Sequence, residues 1–363
     1  AFQERERKLR TLTTGMPGTP VGLALSAFHS EKDLAIWHWR TTLAQTLTRA
    51  NLEEEAFLAK ATLGALAWCS WGARDESKRK PFAATAYDVT GHYSWVMKTY
   101  GFPTCPGRIR YDGEAFNALI TEHDSPERYD VRAKLPYGLY TLVITDTELR
   151  KERPPRFTGN SHRVFPHHDV KEMMRLGYTF SFAAECMTWE KSQVVKGLFT
   201  RHVQYTTELK AKSREFKILT NILSGALGER RRVGRSKHYT RLEMPDDHEL
   251  LDVVPEGGEM FSVVTRPMGE SRFLLLPYLS IFIWACGRQR LNKYLDWAGR
   301  DKVVQCHTDG FLVRGVRHPA LTAKCDGKLG GLKREAAGAL ELHHTNKYRL
   351  TRDGVVTKRV GRW

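Results

Sequence analysis

Residues 303–315 read VVQCHTDGFLVRG: an apolar run, the tetrad His307-Thr308-Asp309-Gly310, and a second apolar run. Asp-Gly is favoured at two-residue turns, so the stretch predicts a β-hairpin turning at 307–310 with the Asp309 carboxylate at its tip. Taken alone, Asp309 also reads as a simple turn former. A second apolar strand, FAATAYDV (82–89), leads to Asp88, and a helix is expected just after it, in TGHYSWVM. Asp88 then reads either as the N-cap of that helix, with Tyr93 as a packing residue, or as a site residue. Two carboxylates on strand ends far apart in sequence are what two-metal phosphoryl transfer requires. Divalent ions about 3.5–4 Å apart must be clamped by hard oxygen ligands.

Between the two strands lies ELKAKSREFKILTNILSGAL (208–227), read as one amphipathic helix. Lys210, Arg214, Lys217 and Asn221 fall at i, i+4, i+7 and i+11 on one face, and Leu209, Phe216, Leu219, Ile222 and Leu223 mostly on the other. Such a stripe is either a solvated face or a row of donors for a triphosphate. Further elements follow from local signals. Two helices are expected within 31–67, one after Ser30 and one after Asn51. A strand is expected at LYTLVIT (139–145), and a Pro-rich basic link at RKERPPRF (150–157). The longest helical stretch spans 189–227, bent near Tyr205–Thr207; RRRVGR (230–235) reads as a loop, and a helix starts around Pro277.

The chain has 363 residues, with 57 Lys+Arg against 41 Asp+Glu, a formal charge of +16. With 41% hydrophobic residues and nine tryptophans it can bury a sizeable core, which excludes a disordered basic tail. The length allows two or three domains, or one multilobed body. No run of 18 apolar residues occurs, and Ala1–Leu12 lacks a signal-peptide hydrophobic segment. The six cysteines form no CxxC or CxxH cluster, so neither a zinc ribbon nor a disulfide framework is written here. An intracellular setting and an anionic partner are expected; nucleic acid fits better than a membrane, for want of a basic amphipathic segment with a large apolar face.

The order Asp88-Val-Thr-Gly-His-Tyr93, then Lys217-x-x-x-Asn221-x-x-x-Gly225, then His307-Thr308-Asp309 resembles motifs A, B and C of family B DNA polymerases, especially the protein-primed phage and linear-plasmid branch. The resemblance runs from about Trp68 to the C-terminus. WCSWGAR (68–74) resembles the family's Tyr-x-Gly-Gly region, Arg288 lies on the helix before motif C, and LGGLKRE (329–335) and NKYRL (346–350) resemble the segments that grip the primer terminus.

The resemblance implies an α+β fold: a right-hand palm on an antiparallel sheet, helical fingers and a short or missing thumb. Its divisions would be an N-terminal helical region (1–80), first palm part (81–160), fingers (161–228), second palm part (229–318) and an abbreviated thumb or primer-grip region (319–363). Asp88 and Asp309 would bind two ions, Mg²⁺ or Mn²⁺, with the Val89 carbonyl helping. Tyr93 would pack under the incoming sugar; Lys217, with Lys210 or Arg214, would hold the phosphates; Asn221 would brace the site and Gly225 would admit the nascent base pair. Lys333, Lys347, Tyr348, Arg230 and Arg231 would meet primer and template.

The implied activity is DNA-directed DNA synthesis from dNTPs, with DNA as partner and a terminal protein or processivity factor as a further one. Departures are specific. Gly91, His92 and Ser94 replace the Ser, Leu and Pro of motif A, Ser224 replaces a Tyr of motif B, and His307 replaces the first carboxylate of motif C. His307 reads as a metal ligand, a phosphate contact or a polar hairpin residue. These departures also admit a catalytically degenerate, DNA-binding scaffold. Only 87 residues precede Asp88, so no 3′→5′ exonuclease is expected in this chain, and Glu31 and Asp33 read as first-turn helix acids.

Overall fold

The computed structural model describes residues 47–61, 64–70, 81–121, 135–145, 157, 162–176, 178–212, 217–230, 234–238, 248–257, 260–267, 269, 271–273 and 275–361. The helix expected after Ser30 and the basic link at 150–156 lie outside them. Asn51 caps α1 (Leu52–Lys60) as expected: its Oδ1 accepts the Glu54 N–H at 2.9 Å, and the Glu54 carboxylate accepts the Asn51 N–H at 2.7 Å. Then come β1 (Ala67–Cys69), β2 (Phe82–Val89), α2 (His92–Thr99), β3 (Gly101–Pro103), β4 (Arg108–Arg110), the short α3 (Ala118–Thr121), β5 (Tyr137–Ile144), β6 (Val164–Pro166), α4 (His167–Leu176), β7 (Phe180–Trp189) and β8 (Val194–Lys196).

Strands β4, β7, β5 and β6 form an antiparallel sheet in that order. Helix α4 buries Val170, Met173 and Met174, spaced i, i+3, i+4, in one core with Tyr140, Leu142 and Phe182. The predicted helical run from 189 is therefore corrected. β-branched Val194 and Val195 pair with β3, Gly197 turns the chain at φ 81, and helix starts only at Thr200. Helix α5 (Thr200–Lys212) passes through 205–207 unbroken, with the Thr206 and Thr207 hydroxyls donating back to the carbonyls of His202 and Val203 at 2.8 and 2.6 Å.

Helix α6 (Lys217–Ala226) is followed by β9 (Gly234–His238), β10 (His248–Gly257) and β11 (Met260–Pro267), a three-stranded antiparallel sheet whose first strand takes in the last two residues of the loop read at 230–235. Helix α7 (Pro277–Ala298) starts at the expected proline and is buried nearly all round, from Tyr278 to Ala298. Then come β12 (Val303–His307), β13 (Gly310–Arg314), the short α8 (Pro319–Thr322), β14 (Leu332–His344), β15 (Lys347–Arg352) and β16 (Val355–Val360).

The main sheet has seven strands, ordered β1-β12-β13-β2-β14-β15-β16, all antiparallel. Period-two alternation splits its residues between two cores. Tyr87, Val89, Phe311, Val313 and Leu332 pack against Leu291, Tyr294 and Leu295 of α7, while Ala84, Ala86, Leu312, Leu340 and Leu350 line the opposite face. No described helix is long and apolar enough to cross a membrane.

Candidate active site

Asp88 is the penultimate residue of β2, on the face of Ala84 and Ala86 by strand alternation. Its neighbours in register are Gly310 on β13 and Lys333 on β14. A Cβ at 310 would press on the Tyr87 carbonyl at 3.2 Å and touch Asp88 Oδ1 at an ordinary 3.5 Å. Asp309 occupies the adjoining hairpin turn, after Thr308 at φ 63, and its carbonyl accepts the Val89 N–H at 2.8 Å. The structure thus joins the two carboxylate-bearing segments that the sequence separates by more than 200 residues. Asp88 does not cap α2: Gly91 holds the N-cap position, with no side-chain cap.

Gly91 is the departure with the plainest physical cause. It sits at φ 56, where a side chain is strained, and a Cβ would lie 2.5 Å from Leu329 Cδ1. Leu329 and Gly330 form a loop that fastens this turn. Gly330 N–H donates to the Thr90 carbonyl at 2.7 Å, Thr90 N–H donates to the Gly331 carbonyl at 2.9 Å, and the Gly330 carbonyl accepts from Arg290 Nη2 and the Tyr294 hydroxyl, each at 2.8 Å. Arg290 also stacks over the Trp95 ring, 4.3 Å from its centroid.

Tyr93 is buried on α2, edge-on to His92, and both rings press on Gly287 of α7, where a Cβ would lie 2.9 Å from Tyr93 Cε1. Burial pushes the Tyr93 phenol well above its ordinary range; the Asp309 charge adds to this and Arg288 opposes it. Tyr93 therefore lies within electrostatic reach of the hairpin tip. On the other side, burial raises the Tyr348 phenol, Lys358 opposes it, and Glu335 and Asp88 contribute smaller increases. The sheet curls enough for Lys358 of β16 to pair with Glu335 of β14. Lys333, exposed beside Asp88 in register, stands 3.8 Å from Glu335, and Lys347 pairs in register with His344.

Other predicted residues are placed differently. Of the helix expected over 208–227, Lys210 lies on α5 and Lys217 and Asn221 on α6, and residues 213–216 between them lie outside the described residues. Arg214 and Arg231 lie outside the described residues. Arg230 is turned to structural work: Nη2 donates to the Ala59 carbonyl at 3.2 Å and the guanidinium lies over Phe273. Gly225 is exposed, and a Cβ there would meet nothing within 4 Å. His307 is partly buried, its Nδ1 3.1 Å from Thr308 Oγ1. Among the described residues no group of three His, Cys, Asp or Glu is arranged to hold a metal ion, so His307 does not complete a three-ligand set with Asp88 and Asp309.

Sequence reading missed Asp169, whose partner Arg288 was noted only for its position on the helix before the hairpin. The pair is buried, with Arg288 Nη2 2.5 Å from Asp169 Oδ2. No local signal marks Asp169, which sits in the polar run HHDVKE (167–172).

The fold combines helices with antiparallel sheets. Solved structures of phi29 DNA polymerase share it. The complex with single-stranded DNA matches with a TM-score of 0.61 at 14% identity over 93% of this chain and 59% of that one. The ternary complex with primer-template DNA and incoming nucleotide matches at 0.59 and 13% identity, over 88% and 55%. The chain therefore spans less than three-fifths of the length of these neighbours. No family model matches it, and no curated protein does.

Proposed function

We propose that the chain is a template-directed DNA polymerase, transferring a nucleotidyl group from a dNTP to a primer 3′-hydroxyl. The observation that carries this reading is the meeting of Asp88 and Asp309 at adjoining ends of β2 and the β12–β13 hairpin, in a fold shared with a DNA polymerase. The donor set suits Mg²⁺ or Mn²⁺ shared with a substrate. Two hard carboxylates, helped by the Val89 carbonyl, leave positions that triphosphate oxygens fill, which is how Mg²⁺ is usually held in nucleotide sites. Such ions, when bound, supply activation of the attacking hydroxyl and neutralisation of phosphate charge.

The chain's own residues orient and select. Tyr93, walled in by His92 and Gly287, presents a fixed edge to the sugar, and a ribose 2′-hydroxyl would crowd it. Gly225 is a helix glycine that no contact among the described residues requires, which fits a close approach by the nascent base pair. Lys217, with Lys210, is assigned to the phosphates; Asn221 braces that site. Lys333, Lys347 and Tyr348 are assigned to the primer terminus, Lys333 being the nearest in register to Asp88.

A second reading, a DNA-binding scaffold without activity, is favoured by His307 at the first carboxylate position and by the absence of a three-acid group among the described residues. Primer extension on a primed template, with dNTPs and rNTPs compared under Mg²⁺ and Mn²⁺, separates the two. Extension that prefers dNTPs supports the polymerase; tight DNA binding with no extension under either ion supports the scaffold.

A further inference from the structure

Arg288 is only 2% exposed, an expensive place for a guanidinium. Its Nη2 donates to Asp169 Oδ2 of α4, and its Nη1 donates to the Gly64 carbonyl at 2.8 Å. Two residues further on, the Leu66 carbonyl accepts the Thr308 N–H at 2.9 Å, and Ala67 lies opposite His307 in register. Thr308 precedes Asp309, whose N–H donates to the His307 carbonyl and whose carbonyl accepts the Val89 N–H, both at 2.8 Å. An unbroken series of hydrogen bonds and short backbone spans therefore runs from the ion pair through 64–66 to the hairpin turn and the end of β2.

Buried ion pairs are poor sources of net stability, because desolvation offsets their attraction; a well-packed apolar replacement is often as stable. What such a pair does supply is a fixed geometry. We infer that Asp169 and Arg288 are positioning residues for the Asp309 carboxylate. By holding the Gly64 carbonyl they set the segment against which the hairpin turn is bonded. The inference rests on the proposed role of Asp88 and Asp309 as cation ligands.

The test measures Mn²⁺ binding to the full chain by titration calorimetry with the metal alone, beside primer-extension rates and thermal unfolding. Variants are Asp88→Ala and Asp309→Ala as references, then Asp169→Asn, Arg288→Lys and the apolar pair Asp169→Leu with Arg288→Met. Asp169→Asn is expected to weaken Mn²⁺ binding about tenfold, the lower end of the loss seen for residues supporting metal ligands. The extension rate should fall with it while KM for primer-template stays unchanged. The apolar pair should unfold within a few degrees of the unaltered chain and still bind Mn²⁺ weakly, which a purely structural role would not produce.

Asp169→Asn that folds and binds Mn²⁺ as tightly as the unaltered chain would overturn the inference. Should that variant not fold, unchanged Mn²⁺ affinity in Arg288→Lys overturns it equally. If the unaltered chain shows no Mn²⁺ binding that depends on Asp88 and Asp309, the ligand assignment itself fails and the inference falls with it.

Discussion

Gly225 separates ligand from scaffold at the scale of one residue. It lies near the C-terminal end of α6, is exposed, and has open space where a Cβ would point. Alanine there should raise stability by about 0.5–1 kcal/mol, the usual penalty for glycine in a helix. Gly225→Ala is therefore expected to melt higher yet extend primers more slowly, as thermal unfolding and extension kinetics on the same preparation will check. A variant that is more stable and equally active would remove Gly225 from the site. Gly91 is the opposite case, because its φ of 56 and the Leu329 contact already explain it without any ligand.

Among the elements, α7 organises the rest, packing on α2 through Gly287 and on α4 through Arg288. Two histidines are buried around it. Burial holds His92 down to about 4, and His167 well below its ordinary range, where its Nδ1 accepts the Gly138 N–H at 3.3 Å. The unfolded chain takes up protons below about pH 6.5 while the folded one resists, so stability is complete above that pH and falls as pH drops towards 4. For His92 the loss should reach roughly 2 kcal/mol at pH 5, and His167 adds to it in the same direction. The unfolding midpoint should fall between pH 7 and 5, and His92→Gln should flatten that slope; a pH-independent midpoint in the unaltered chain would contradict it.

The elements that period and turn chemistry specify were legible in the sequence: the hairpin, the strand before Asp88, the Asn51 cap and the helix from Pro277. Strands β6 to β8 and the sheet of β9 to β11 were not. For β6 to β8 the pairing partners lie far along the chain, as with Val194 beside Pro103, and in β9 to β11 charged and polar residues interrupt the apolar runs. Spacing singled out Asp88, Tyr93 and Asp309, and the fold brings the segments of Asp88 and Asp309 together. Asp169 was not singled out, because what marks it is a partner 119 residues away.

For the whole molecule, the surplus of +16 becomes a statement about binding. If roughly six to ten phosphates are contacted, affinity for primed DNA should fall about 10³–10⁵-fold between 50 and 200 mM salt. A filter-binding or anisotropy series will read that slope, and a flat one would separate the charge from DNA binding. Charge does not assign chemistry, however; the proposed chemistry rests on Asp88 and Asp309. The most direct measurement is the single-turnover rate of nucleotide addition for the unaltered chain, Asp88→Ala, Asp309→Ala and the double variant. Groups acting as one unit are strongly non-additive, so each single change should cost at least about 10³-fold and the double change little more. Nucleotide addition that proceeds at the unaltered rate after either substitution would contradict the account.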